Sequence, residues 1–201
     1  LSTSLLNSLL AVRTHFTTGQ SVITPDDLPA IVERSGCPDF VICDTMSISA
    51  LVEVSKKRKE TFRPRFGVSL RIVDDLSDRE NKKQREVFPK VYPLDWGSMQ
   101  ALFRLLSKSW DADHFYYVPR LSFLELKELL LAGNFVVTTG DFKPIFEHPD
   151  HESMLREIMS LVPGDRFFVE LSPVPTGYHD RINTLATKFL AGANCLSLVT
   201  Y

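Results

Sequence analysis

"AVRTHFTTGQSVITPDDLPAIVERSGCPDFVICD", residues 11–44, reads as a strand, a helix and a second strand, and the rest of the chain is read outward from it. "AVRTHF" (11–16) and "DFVICD" (39–44) are short runs rich in β-branched and aromatic residues, and several strand candidates of the chain are apolar on both faces, as parallel strands covered by helices are. Between them "TPDDLPAIVERSG" (24–36) predicts a helix with Thr24 as N-cap, Pro25 at the first helical position, acids in the first turn and Gly36 past the end. The same stretch poses a chemical question. A His-x-His pair at a strand end is a common way to hold a metal ion. Here His15 is present, but Arg13 stands where its partner would be.

The alternation continues. Further strands are expected at "RPRFGVSLRIV" (63–73), "VFPKVYPLD" (87–95), "NFVVTTG" (134–140), "RFFVELS" (166–172) and "CLSLVTY" (195–201). Helical spacing of apolar residues falls between them in "SISALVEVSKKRKE" (47–60), "GSMQALFRLLSKSW" (97–110), "SFLELKELLLAG" (122–133), "DHESMLREIMSLV" (150–162) and "HDRINTLATKFLAG" (179–192). Strand and helix in alternation imply an α/β fold built on a mainly parallel sheet or barrel. With 201 residues, 44% of them hydrophobic, and no linker or repeat, the chain is expected to be one domain, 1–201.

Composition removes several classes. A formal net charge of −2 lacks the footprint of a dedicated nucleic-acid binder. Cys37, Cys43 and Cys195 are too few and too unpatterned for a disulfide framework or zinc ribbon, which fits a reducing cytoplasm. No apolar run is long enough to span a membrane. The charge-dense "DDLSDRENKKQRE" (74–86) is expected to be a solvated loop, because its acids nearly cancel Lys82, Lys83 and Arg85.

Taken in order, "RTHF", "TPDDLPAIVERSGCPDFVICDTMSISALVEVSKKRKE", "RPRFGVSLRIV", "MQALFRLLSKSW", "LSFLELKELLLAGNFVVTTGD" and "PGDRFFVELSPVPTGYHDRINTLATKFLAGANCLSLVTY" resemble the PHP (polymerase and histidinol phosphatase) family. The resemblance is nearest to the N-terminal PHP domain of bacterial DNA polymerase III alpha subunits. It implies a distorted (β/α)7 barrel, here cut short at its last strand, with the site at the C-terminal strand ends. Active members hold a cluster of metal ions there on His, Asp, Glu and sometimes Cys, and generate a hydroxide that attacks a phosphoester.

Carried over residue by residue, most of that ligand set is missing. Arg13 replaces the first histidine of the opening motif, and a guanidinium cannot become a ligand. The early Asp falls near Gln20 or Val22. The Asp-His pair after the second strand reads Asp44-Thr45, the Glu of the third strand is Ser69, and the next His falls on or near Phe88. Asp141 aligns with a later ligand, and Glu170 with a Glu common in these polymerases. His15, Asp44, Asp141 and Glu170 thus remain with Arg13 as a vestigial pocket. No catalytic residue and no cofactor are expected. An ion pair from Arg13 to Asp44, Asp141 or Glu170 is expected to balance the charge metals would otherwise balance.

The resemblance therefore implies a catalytically degenerate module of a DNA-directed DNA polymerase. Its partners would be the rest of the polymerase chain and a proofreading exonuclease, with DNA reached through the parent protein. The competing reading is a metal-dependent 3′-5′ exonuclease or phosphoesterase with a reduced site, needing manganese or zinc on His15 and Asp141. A free-standing binding subunit is a third, which the stop at "LSLVTY" disfavours because it would leave a sheet edge open. Two other groups invite attention. His148 and His151 in "EHPDHES" are expected to be loop and capping residues. His114, Trp110, Phe115, Tyr116 and Tyr117 suggest either a base-stacking surface or rings packed on helices or a neighbouring domain.

Overall fold

The computed structural model describes residues 9–36, 39–79, 85–193 and 195–199, so Cys37, Lys82, Lys83 and the end of the last expected strand lie outside the described residues. The chain divides into two compact units, Leu1–Ser69 and Leu70–Tyr201.

In the first unit β1 (Leu9–Val12), β2 (Asp39–Thr45) and β3 (Arg63–Ser69) pair in that order, all parallel. The five central residues of β2 are all buried, so both faces of the strand are covered. One face is covered by α1 (Leu28–Ser35) and α2 (Ala50–Ser55), whose Leu28, Val32, Ala50 and Val54 join Phe40, Ile42 and Phe62 in one cluster. The rings of Phe40 and Phe62 lie 4.9 Å apart within it. Burying each of the larger side chains in this cluster contributes about 2 kcal/mol.

Two helix boundaries differ from the sequence pattern. Thr24 does not cap α1; its N–H and hydroxyl both donate to the Asp27 carboxylate, at 2.8 and 2.6 Å, closing a turn from which the helix starts at Leu28. Gly36 does end it, at φ 66°, a left-handed conformation that costs glycine little. α2 stops at Ser55, short of the helical pattern that runs to Glu60. Lys59 and Phe62 exchange backbone hydrogen bonds of 3.0 and 2.9 Å there, turning the chain so that Phe62 enters the core. Burial of one aromatic ring overrides local propensity.

The second unit has a small sheet in which β4 (Ile72–Val73) runs antiparallel to β5 (Glu86–Val87) and parallel to β7 (Leu121–Ser122). A larger sheet orders β6 (Lys90–Pro93), β8 (Phe135–Thr138), β9 (Phe167–Leu171) and β10 (Leu196–Val199). β8, β9 and β10 are parallel, whereas β6 is antiparallel to β8 and sets Lys90 opposite Thr138. Apolar content reports burial, not direction, so this reversal leaves no mark on the pattern.

Among the described residues this unit also has the α-helices α3 (Trp96–Lys108), α4 (Phe123–Leu131), α5 (His151–Leu161) and α6 (Gly177–Gly192). Asp95 caps α3 by accepting the Ser98 N–H at 2.8 Å, and the helix buries Ala101, Leu102, Leu105 and Leu106 at helical spacing. Ser122 and Glu125 form a capping box on α4. His148 and His151 serve the turn before α5: His148 Nδ1 accepts the Asp150 N–H at 3.0 Å, and His151 Nδ1 lies 2.8 Å from the His148 carbonyl. Cys43 is buried, and burial pushes the Cys195 thiol above its usual pKa. Among the described residues no helix is long and apolar enough to cross a membrane.

Glu125 is buried, and burial alone would favour its protonated form. Lys108 Nζ at 2.6 Å, the Ser122 N–H and hydroxyl at 2.9 Å and His114 Nε2 at 2.7 Å outweigh that and hold its pKa down at about 2. The folded value lies below the ordinary 4.5, so this carboxylate stabilises the fold above pH 4.5, and the contribution fades as pH falls toward 2. Its full size is about 3 kcal/mol. Urea unfolding across this acid range should show a falling limb of stability that Glu125→Gln flattens, with the variant less stable near neutrality.

Candidate functional site

The chemistry-bearing side chains of the second unit gather at the ends of β8 and β9. Glu170, next to last in β9, is buried, and its Oε2 lies 2.8 Å from Lys90 Nζ. Its other carboxylate oxygen accepts the Thr138 hydroxyl hydrogen bond. Lys90 is itself fully buried and reaches Asp141 Oδ1 at 3.1 Å. One ammonium therefore sits against two carboxylates, one buried and the other 28% exposed. Lysine is almost never fully buried unless it is paired, and pairing with hydrogen-bonded carboxylates is the condition under which desolvation is tolerated.

The backbone fixes this geometry. The antiparallel register aims Lys90 at Thr138, and the Thr139 hydroxyl accepts the Glu170 N–H at 3.0 Å. After Thr139 the chain turns at Gly140, with φ 85°. A β-carbon there would come within 2.1 Å of the Phe88 carbonyl oxygen, so only glycine allows the two segments to touch. The Phe88 N–H closes the other side by donating to the Lys143 carbonyl at 2.9 Å. Asp141 is thereby placed against Lys90 by backbone contacts, not by a flexible loop.

A groove of about 540 Å³ opens beside Asp141, lined also by Phe142, Lys143, Glu147, Val174 and Tyr178. Burial, followed by the negative charge of Glu147, pushes the Tyr178 phenol up to about 12, so it stays protonated and cannot serve as a base.

In the first unit Asp44 ends in a different arrangement. It is 1% exposed and accepts three hydrogen bonds of 2.7 Å, from the Thr14 N–H, the Thr14 hydroxyl and the Thr17 hydroxyl. The donors are uncharged and come from the loop that follows β1. His15 is exposed, its ring 4.3 Å from that of Phe16. Arg13 is partly buried, with its carbonyl accepting from the Ser21 hydroxyl at 2.8 Å. Ser69 is buried at the end of β3.

Of the residues singled out in the sequence, Asp141 and Glu170 thus meet on a common cation. That cation is Lys90, which the sequence reading passed over. Its signal was a single lysine inside the apolar run "VFPKVYPLD" (87–95), a place where a charge has to find a partner. Thr14 and Thr17 were missed as well, since hydroxyl donors carry no metal signature. Among the described residues no three His, Cys, Asp or Glu side chains converge as a group able to hold a metal ion.

These strands and acids lie within a stretch that matches a known class of domain. Residues 10–173 match the PHP domain model, and the chain belongs to that family. It is 24% identical over 194 residues to the DNA polymerase III subunit alpha of Yersinia pestis, an alignment covering 89% of this chain and 16% of that protein. The chain therefore spans about a sixth of the length of that relative. Among solved structures it superposes on a candidate metal-dependent phosphoesterase from Bifidobacterium adolescentis, with a TM-score of 0.54 and 13% identity, over 96% of this chain and 86% of that one. At that identity the likeness establishes a shared mixed α/β fold and nothing about chemistry.

Three substitutions test the geometry. Lys90→Met should cost about 3–5 kcal/mol, because it leaves the Glu170 carboxylate buried without its cation. Adding Glu170→Gln should recover much of that loss, which a double-mutant cycle of urea midpoints would measure. Gly140→Ala should destabilise by at least about 2 kcal/mol, from the left-handed backbone together with the clash at Phe88.

Proposed function

We propose that this chain is a catalytically degenerate PHP domain of a DNA polymerase III alpha-like replicative polymerase, acting as a structural and docking module in the cytoplasm. The observation that carries this reading is the Lys90 ammonium, fully buried against Glu170 and Asp141. A fixed positive charge at the carboxylates repels the divalent ions that such carboxylates would otherwise attract.

The residues present do not fit a metal cluster. Asp44 already receives three hydrogen bonds, Glu170 is shared by Lys90 and Thr138, and Asp141 is turned to Lys90 and to the Phe142 N–H. Ser69 offers only a hydroxyl where the family has a glutamate, and Thr45 replaces a histidine. Ligands lost in this number lower metal affinity by orders of magnitude. No step of hydrolysis is assigned to any residue of this chain.

The similarity to a polymerase III alpha subunit along 89% of the chain supports a place within a longer polymerase. In that setting the domain takes the distorted (β/α)7 barrel form of its family, stabilises the parent enzyme and presents a surface to a replisome partner such as a proofreading exonuclease.

Equilibrium dialysis against manganese or zinc, followed by assays on bis(p-nitrophenyl) phosphate and single-stranded DNA, tests the reading. No stoichiometric ion and no turnover are expected. Retention of two ions per chain, with hydrolysis that Asp141→Asn removes, would establish the phosphoesterase reading instead.

A further inference from the structure

The loop between α3 and β7 bears two large rings in solvent: Trp110 is 61% exposed and Tyr117 83% exposed. Each is backed by another ring. Trp110 stacks on Phe115 at 5.2 Å and 18°, and Tyr117 meets Tyr116 edge-on at 4.6 Å. Tyr117 also has a φ of 58°, a backbone state rarely adopted by an aromatic residue and sustained only where surrounding bonds demand it.

Those bonds are present. The Arg120 guanidinium is buried and donates to the carbonyls of His114, Leu76 and Asp78 at 3.1, 2.9 and 3.2 Å. Arg79 donates to the Ala112 carbonyl at 2.5 Å, and the Tyr116 N–H donates to Val118 at 3.1 Å, across Tyr117. From beneath, His114 is held by Glu125. The loop is fixed by its interior, while its rings point outward.

The charges between the rings are acidic. Asp111 and Asp113 are exposed, and among the described residues neither forms an ion pair; Lys108 is committed to Glu125 at 2.6 Å. Phosphate would be repelled here, and the guanidinium groups of Arg79 and Arg120 are turned to backbone carbonyls. Aromatic faces beside carboxylates suit a guanidinium or ammonium group, which gains from the ring quadrupole and from the negative charge together.

We propose that residues 110–117 form a preorganised docking surface for a basic segment of a partner protein, whose Arg or Lys side chains stack on Trp110 and Tyr117 beside Asp111 and Asp113. The proposal rests on the docking role given above and on no feature of the Lys90 pocket. Its failure leaves the ion-pair account intact, since dialysis and the Lys90 variants read that pocket alone.

The chain has two tryptophans of similar exposure, which supplies an internal control: Trp96 is 65% exposed, packs edge-on against Phe103, and its neighbour Asp95 is engaged by Ser98 and Asn134. Nitrogen-labelled full chain is titrated with a synthetic peptide of alternating arginine and proline, and with its glutamate–proline counterpart. The arginine peptide should shift the Trp110 indole and the amides of 110–117 saturably and leave Trp96 in place; the glutamate peptide should move neither. Asp111→Asn with Asp113→Asn should weaken binding by about fivefold or more. Tyr117→Gly, which relieves the strained backbone and keeps the fold, should weaken it too. Equal shifts at both indoles, unchanged affinity in the double-Asn variant, or a stronger response of the same resonances to an oligothymidylate would each overturn the proposal.

Discussion

A lysine ammonium with no access to solvent, held between Glu170 and Asp141, is the interaction on which the second unit's functional end depends. An isolated buried charge costs several kcal/mol, and this one is tolerated because two carboxylates and the register of β6 on β8 surround it. The register matters as much as the charge. If β6 were shifted by one residue, Lys90 would point to the other face of the sheet and Glu170 would lose its cation. Gly140 completes the arrangement by letting the loop that carries Asp141 lie directly on the Phe88 backbone.

The two units solve the same problem with different chemistry. Asp44 keeps its carboxylate in the interior by drawing on one N–H and two hydroxyls from the loop after β1. Glu170 uses a full charge and one hydroxyl. Hydrogen bonds to an ionised carboxylate are stronger than those between neutral groups, and both solutions leave the acid fully engaged. In the reading proposed here, acids of a metal-binding family are retained as structural anions, and what remains for function is the surface.

The order of strands and helices was legible in the sequence because apolar runs and helical spacing carry burial directly. The strands β3, β6, β8 and β9 fall within the stretches those patterns mark and β2 overruns its own by one residue, whereas the two-residue β5 and β7 were not marked; Gly36 ends α1 where the pattern places it. Helix starts were less legible. Thr24 and Pro25 have the residue types of a helix start, but hydroxyl and carboxylate closed a turn there first. The extent of α2 was set by the burial of Phe62, a contact between segments that no local pattern contains. The direction of β6 was hidden for a related reason, since strand composition is the same in either orientation. At the site, the resemblance pointed to Asp44, Asp141 and Glu170, whereas it did not point to Lys90, because an ammonium is not a metal ligand. An unexplained charge within an apolar strand was the clue, and it becomes meaningful once its partner is known.

Anomalous diffraction from crystals soaked in manganese chloride examines the buried ion pair most directly. The account predicts no anomalous peak within coordinating distance of Glu170 or Asp141, with Lys90 Nζ in contact with both carboxylates. A manganese peak bridging these two acids, with the lysine side chain displaced from between them, would contradict it.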